Sequence, residues 1–418
     1  MGSRLAKLMA VGLVASNVAL ADEAPDWGAE TLSGDWGGAR SGMHEKGVTV
    51  ELTHKSDLWT NASGGVARGS VVLMNSEAAV SVDMDKLAGW SGGSAFVQYH
   101  VQHGNQSINN YVGSFAGVDN IETTGVSTGQ FFQAWLQQNS SDDSLSLLAG
   151  LYAIDSEFYV TDTSGLFLQP PYGMSAEMAQ TGRNGPPVFP MGALALRLKY
   201  TGAGFYAQAA LTDGVPGNLN NAHGTQIRLD RGDGTLAVAE FGLTPDVVEG
   251  QYNKMAIGLW RYSTKAVRDS ALDPTNVDAF GNPLQHDDQG AYLLAERTLT
   301  TEEGDSAQGL SGFVRFGVVN KNVYQADWSG SIGLNYLGLI DGRDEDAFGV
   351  ALTTSHASSW YRQALAAESS ETVVEITYRA QVEPWLAIQP VVQRIFNPNM
   401  DPALADAWTA GIRLEAAF

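Results

Sequence analysis

The chain has no cysteine in its 418 residues. That excludes thiol catalysis, zinc–thiolate sites and disulfide stapling. After the first twenty-one residues it has no apolar run near the ~20 residues that a spanning helix needs. It is also poor in cations. Lys and Arg number 24 against 46 Asp and Glu, a net charge of -22. Nucleic acid is not a partner for such a chain, because phosphate binding needs basic surface. No nucleophile and base share one strand face, so an enzyme is not indicated. His100 and His103 sit three apart, which sends them to opposite faces of a strand and prevents them from sharing a metal. The acidic clusters at 230–234 and 341–346 do not match the D-x-[DN]-x-[DN]-G calcium loop. No cofactor is indicated.

What is present begins with a secretory signal. Arg4 and Lys7 precede a short apolar run from Leu8 to Leu20, and Ala19-Leu20-Ala21 is a small-x-small cleavage site. Residues 1–21 are read as the signal and residues 22–47 as an irregular periplasmic segment. Residues 48–418 form the remaining domain. Loss of the two signal cations takes the charge to -24.

The dominant pattern is strict alternation. Val374, Ile376, Tyr378, Ala380 and Val382 point one way, and Glu375, Thr377, Arg379 and Gln381 the other. Trp408, Ala410, Ile412, Leu414, Ala416 and Phe418 repeat it against Thr409, Gly411, Arg413 and Glu415. The pattern recurs without helices to cover a sheet. Apolar outward and polar inward is the signature of a transmembrane antiparallel β-barrel. About 16 strands are expected, starting near Val48, Val71, Ala95, Phe131, Leu145, Ala193, Phe205, Ala237, Lys254, Ala291, Leu310, Trp328, Ala347, Val373, Leu386 and Trp408. The gaps between them alternate long and short, as external loops and periplasmic turns do. The first gap is placed at 60–69. Trp59, Tyr152, Tyr200, Tyr262, Trp328 and Trp385 near strand ends are candidate girdle residues. Pro390 lies inside a strand and needs a bulge or an unpaired position.

Parity names the candidate lumen residues. Leu194, Leu196, Leu198 and Tyr200 outward put Arg197 and Lys199 inward. Val314, Phe316 and Val318 outward put Arg315 inward. Trp260 and Tyr262 outward put Arg261 inward, and Phe132, Ala134 and Leu136 outward put Trp135 inward. Arg379 and Arg413 follow from the strands above, with Glu77, Glu240, Glu375 and Glu415 as acidic counterparts. The 153–191 segment is too long for a connector. It carries Asp155, Glu157, Asp162, Arg183 and Asn184, and either folds into the lumen or covers its mouth.

Leu32-Ser-Gly-Asp-Trp-Gly-Gly-Ala-Arg40, placed after a signal and before the first strand, resembles the N-terminal motif of the carbohydrate-selective outer-membrane porins, the OprB-type family. Ser156-Glu-Phe158, Gly165-Leu-Phe167, Gly182-Arg-Asn-Gly-Pro-Pro187 and Phe189-Pro190 resemble that family's long third loop. Pro384-Trp-Leu-Ala-Ile-Gln-Pro390 and Phe396-Asn-Pro398 resemble its penultimate strand and loop. The resemblance implies a sixteen-stranded porin of the Gram-negative outer membrane, one that passes monosaccharides such as glucose by passive diffusion. A general or organic-acid channel of the same fold stays open as an alternative, and after it an outer-membrane barrel enzyme or adhesin. Sugar hydroxyls need planar hydrogen-bonding groups and sugar rings favour aromatic faces. Arg197, Arg261, Arg315, Arg379, Arg413, Glu77, Glu240, Trp135, Glu157 and Arg183 are therefore the expected solute path. The implied partners are small sugars, outer-membrane lipid, the barrel-assembly machinery through Phe418, and further copies of the chain in a homo-oligomer such as a trimer.

Overall fold

The computed structural model describes residues 25–121, 127–218, 225, 227 and 229–418. The expected signal lies outside these. Alternating, β-branched and aromatic-rich segments form sixteen strands: β1 (Val48–Gly65), β2 (Gly69–Asp83), β3 (Gly93–Gly104), β4 (Thr128–Asn139), β5 (Leu145–Tyr152), β6 (Ala193–Gly202), β7 (Phe205–Asp213), β8 (Thr235–Leu243), β9 (Asn253–Ala266), β10 (His286–Glu302), β11 (Asp305–Val319), β12 (Ala326–Leu337), β13 (Ala347–Ala357), β14 (Ser370–Glu383), β15 (Leu386–Phe396) and β16 (Ala405–Ala417). Each pairs antiparallel with its neighbours in sequence, and β1 pairs β16 from Thr53↔Ala417 to Gly65↔Ala405. The closed wall leaves no sheet edge, which is what lets strands cross a bilayer. No helix among the described residues is long and apolar enough to do so.

The connections sort by end. One end carries the short turns, such as 203–204, 303–304 and 384–385; the other carries 105–127, 153–192, 214–234 and 267–285. The expected gap at 60–69 is mostly strand. β1 runs on to Gly65, and only 66–68 turn the chain. The extension is possible because two bulges follow Asn61, whose amide donates to the carbonyls of Gly64 and Ala67. Gly64, at φ +70°, sits where a Cβ would strike the Asp406 carbonyl.

Parity holds on most strands. Leu196, Leu198 and Tyr200 face outward around a buried Arg197, and Val314, Phe316 and Val318 around a buried Arg315. It fails on β9. There Met255, Ile257 and Leu259 are the exposed, lipid-side residues, so Arg261 points outward and Trp260 and Tyr262 are buried within. Large aromatics were the wrong guide to the lipid face, because the lumen is packed enough to hold them. On β4 a bulge opposite Gln98 and Tyr99 breaks the alternation. Phe131 faces out and Phe132 turns in, while Ala134, Trp135 and Leu136 keep the expected phase. Among the girdle candidates, Tyr200 faces out, as does Trp328 by its pairing with Val318. Trp59, Tyr152 and Tyr262 are buried inside.

Pro390 sits outward opposite Tyr378, where β14 and β15 record no partner between Thr377↔Val391 and Ala380↔Ile388. The register does not shift, so the proline sits unpaired on its β14 side, in register with Ile412 of β16, and no bulge is needed. At the turn-rich end, α1 (Trp27–Glu30) and α2 (Ala39–His44) lie under the seam. Arg40 is held between the rings of Trp27 and Trp36, 4.7 and 4.2 Å from their centroids. It donates to Thr31 Oγ1 at 2.9 Å and to the main-chain oxygen of Phe418. The Asp-Trp-Gly-Gly-Ala-Arg segment thus ties the N-terminal segment to the β1–β16 closure.

Candidate functional site: a lumen crossed by two loops

The 153–192 loop enters the barrel. Ile154, Phe158, Tyr159, Met174 and Met178 are buried in one apolar cluster with Phe96, Trp135, Tyr206, Trp260 and Tyr292 of the wall. Burying a backbone with little regular structure leaves N–H and C=O groups that must find partners. The wall supplies them in two kinds. Carboxylates accept from loop N–H groups: Glu240 from Tyr159 at 2.9 Å, Glu296 from Thr163 at 2.9 Å, and Glu375 from Leu168 and Gln169 at 2.6 and 3.0 Å. Arg315 does the converse. It donates to the carbonyls of Tyr159, Pro171 and Gly173 at 2.7, 3.0 and 2.8 Å, and to that of Tyr172. Its partners lie on β8, β10, β11 and β14, so the loop spans the lumen rather than lining one side.

A second loop also folds in along its described part, 105–121. Glu371 on β14 accepts from Ser114 Oγ and from the N–H groups of Phe115 and Ala116, at 2.7, 2.7 and 3.1 Å. Arg413 makes a two-point contact with Asp57 and reaches Asp119 Oδ1 at 2.9 Å and Asn120 Oδ1 at 2.7 Å. Trp59 donates to Asp119 at 3.0 Å. The loops meet: Asn120 N–H donates to the Leu168 carbonyl and Gln169 to the Gly117 carbonyl.

Each expected path residue can now be placed. Arg197 is buried against Glu157 at 2.7 Å, with Gln137 at 2.7 Å; Lys199 stands 3.5 Å from the same carboxylate. Arg315, Arg413 and Glu240 are loop anchors. Glu240 also accepts from Tyr206, Gln208 and Tyr292. Trp135 stacks on Phe96, 5.3 Å between centroids, beneath the loop. Arg379 pairs with Glu415 at 3.0 Å and Glu77 with Gln98 at 2.7 Å; Glu415 is buried and the other three are half-buried, and all lie nearer the turn-rich end. Arg183 is exposed on the loop and pairs with Asp233 at 3.0 Å, toward the long-loop mouth. Arg261 is the correction: it pairs with Asp287 at 2.9 Å on the outer face and does not line the lumen.

Sequence reasoning missed Asp57, Asp119, Glu296, Glu371 and the inward course of 105–121. Two signals were available. Parity puts Asp57 on the face of Trp59 and Glu371 on that of Glu375. The 105–121 stretch carries Ile108, Val112, Val118 and Ile121, apolar residues that an exposed loop does not need; all are buried.

A closed sixteen-strand wall, long loops at one end and a polar lumen crossed by loops define an outer-membrane diffusion channel of a Gram-negative bacterium. The chain belongs to the carbohydrate-selective porin, OprB family, which it matches over residues 72–418. It is 25% identical to Porin B of Pseudomonas aeruginosa over 98% of this chain and 96% of that one. It is 23% identical to the putative porin QuiX of Acinetobacter baylyi, over 98% of each. Its fold matches the high-pH structure of Pseudomonas putida OprB with a TM-score of 0.83, at 21% identity and over 95% of this chain and all of that one.

Proposed function

We propose that the channel passes monosaccharides such as glucose by passive diffusion, and that the two inward loops jointly set the size limit. The observation that carries this is the fixing of 153–192 across the lumen by Glu240, Arg315 and Glu375 from separate strands. An open sixteen-strand lumen would pass small solutes without choosing. Glu77, Arg379 and Glu415, beside the amides Gln98 and Gln137, present the planar donors and acceptors that hydroxyls need, and Lys199 adds an ammonium donor. Glu157 and Arg183 mark the two sides of the loop along the path. Most of the inward arginines are paired, so the channel has little ion preference despite the acidic chain. The test is uptake into proteoliposomes, comparing glucose with disaccharides and organic acids. Faster glucose passage supports the reading; equal rates for all would make this a general pore.

A further inference from the structure

The outer wall is unevenly filled. Across β6 to β11 one row of paired outward residues reads Leu198, Ala209, Ala239, Leu259, Ala291 and Val318. The next row toward the long-loop end reads Leu211, Ala237, Arg261 and Gln289. Alanines flank the Leu259 ridge on both sides, so the surface dips into two troughs within one groove of about 1080 Å³. Bulk lipid tails would cover such a surface as they cover the rest of the wall. The rim is what sets it apart.

Arg261 and Lys265 stand on the outward face of β9 and share a single carboxylate, Asp287. Lys321 and Asn322 are exposed in the 320–325 loop and line the same groove. The Asn320 N–H donates to the Gln289 carbonyl at 3.2 Å, which sets that loop beside the Arg261–Gln289 pair. Three cations thus face one carboxylate, in a chain whose net charge is -22. Arg261 and Lys321 are two strands apart, roughly 10 Å at the usual strand spacing, a span wide enough for a phosphorylated sugar headgroup. Arg261 is 61% exposed, and its guanidinium is available to phosphate oxygens.

We propose that this groove binds a phosphorylated, acylated glycolipid of the outer leaflet. Acyl chains fill the troughs on either side of Leu259. Phosphate is held by Arg261, Lys265 and Lys321, and sugar hydroxyls by Gln289 and Asn322. A glycolipid is favoured over a phospholipid because the rim offers uncharged amides beside the cations, at the end of the wall that carries the long loops. The proposal is independent of which solute crosses the lumen.

The test uses the full chain in detergent, with binding read by thermal shift and by lipid retained in native mass spectrometry. The probes are bisphosphorylated lipid A, its dephosphorylated form and phosphatidylglycerol. The expected order has bisphosphorylated lipid A binding well ahead of the other two. The triple variant R261Q/K265Q/K321Q should bind it about a hundredfold more weakly, since each cation at a lipid surface contributes about a factor of five. A239L/A291L, which fills the troughs and leaves the charge alone, should weaken it too, while glucose flux through either variant is unchanged. Undiminished binding by the triple variant, or equal binding of phosphatidylglycerol, would overturn the proposal.

Discussion

The two inward loops are held by different means. The 153–192 loop is gripped chiefly through its backbone: wall carboxylates take its N–H groups and Arg315 takes its carbonyls. The 105–127 loop is gripped through backbone at Glu371, but at Arg413 through its own side chains, Asp119 and Asn120. A backbone grip is indifferent to what the loop's residues are and depends on the wall. A side-chain grip makes loop and wall depend on each other. The first loop should therefore depend little on its own polar side chains, beyond its buried apolar anchors, yet fail on single wall changes. The second should be sensitive on both sides.

The largest expected effect is Arg315→Met. It strands four loop carbonyls in a packed interior, where each unsatisfied group costs about 1–3 kcal/mol. The folded barrel should survive, because wall pairing is untouched, while conductance in planar bilayers rises and the preference for glucose over disaccharides flattens. Unchanged conductance in a folded variant would show that the apolar cluster alone holds the loop. Next is Arg413→Gln, which leaves Asp57 and Asp119 buried together without their cation, at a cost of about 3–5 kcal/mol. Stability is read as the temperature at which the barrel loses its compact gel migration. Adding Asp119→Asn should recover part of that loss, and the non-additivity in a double-mutant cycle measures the loop–wall coupling. Additive losses would mean that Arg413 serves only the Asp57 contact within the wall.

The difference between the loops also explains what the sequence disclosed. Strand number, order and the alternation of loop lengths were legible, because a period of two written over sixteen segments leaves little else to build. Arg197, Arg315 and Glu240 were placed inward because leucines, valines and alanines around them declared the lipid face. Arg261 was misplaced because Trp260 and Tyr262 looked like lipid-facing aromatics. In a lumen filled by loops, aromatics are as much at home inside. The roles were not legible at all. An inward arginine that lines water and one that binds four carbonyls have the same parity, and only the course of the loop separates Arg379 from Arg315. The 105–127 loop left a clearer sign in its buried aliphatics, one that loop length alone could not show.

A smaller effect concerns pH, through Asp155 at the root of the 153–192 loop. Burial pushes its carboxyl up to about 7, although the Phe189 N–H it accepts at 2.9 Å pulls the other way. In the unfolded chain the same group titrates near 3.8. Between these values the folded state holds more protons than the unfolded state, so stability falls as pH rises. The contribution is fully present below the unfolded value and lost as pH passes about 7. The loop should therefore sit more tightly at pH 5 than at pH 8, with conductance rising over that interval. Asp155→Asn should reduce the slope and keep the acid-side value. An undiminished slope in the variant would assign the titration to another group.

The smallest effect on conductance sharpens the comparison most. Among the described residues, Glu157 is the one charged side chain by which the 153–192 loop pairs with a wall cation in the buried interior, through Arg197 at 2.7 Å and more distantly Lys199. It also accepts from Tyr152 within 2.7 Å. Glutamine keeps the shape and one accepting oxygen, and Gln137 and the Ser146 carbonyl still receive the guanidinium, so the loop keeps its place; the buried Arg197 nevertheless loses its carboxylate, which lowers stability by about 3 kcal/mol. Asp119→Asn removes a carboxylate that serves both Arg413 and Trp59, and it leaves the guanidinium with Asp57 as its remaining close carboxylate. If the first loop is held by backbone and the second by side chains, Glu157→Gln lowers stability with little change in conductance, whereas Asp119→Asn changes conductance more. The two conductances, measured in planar bilayers, decide it. Equal changes would mean that both loops rely on their ion pairs. The carboxylates that receive backbone N–H groups would then be satisfying a loop already fixed by charge.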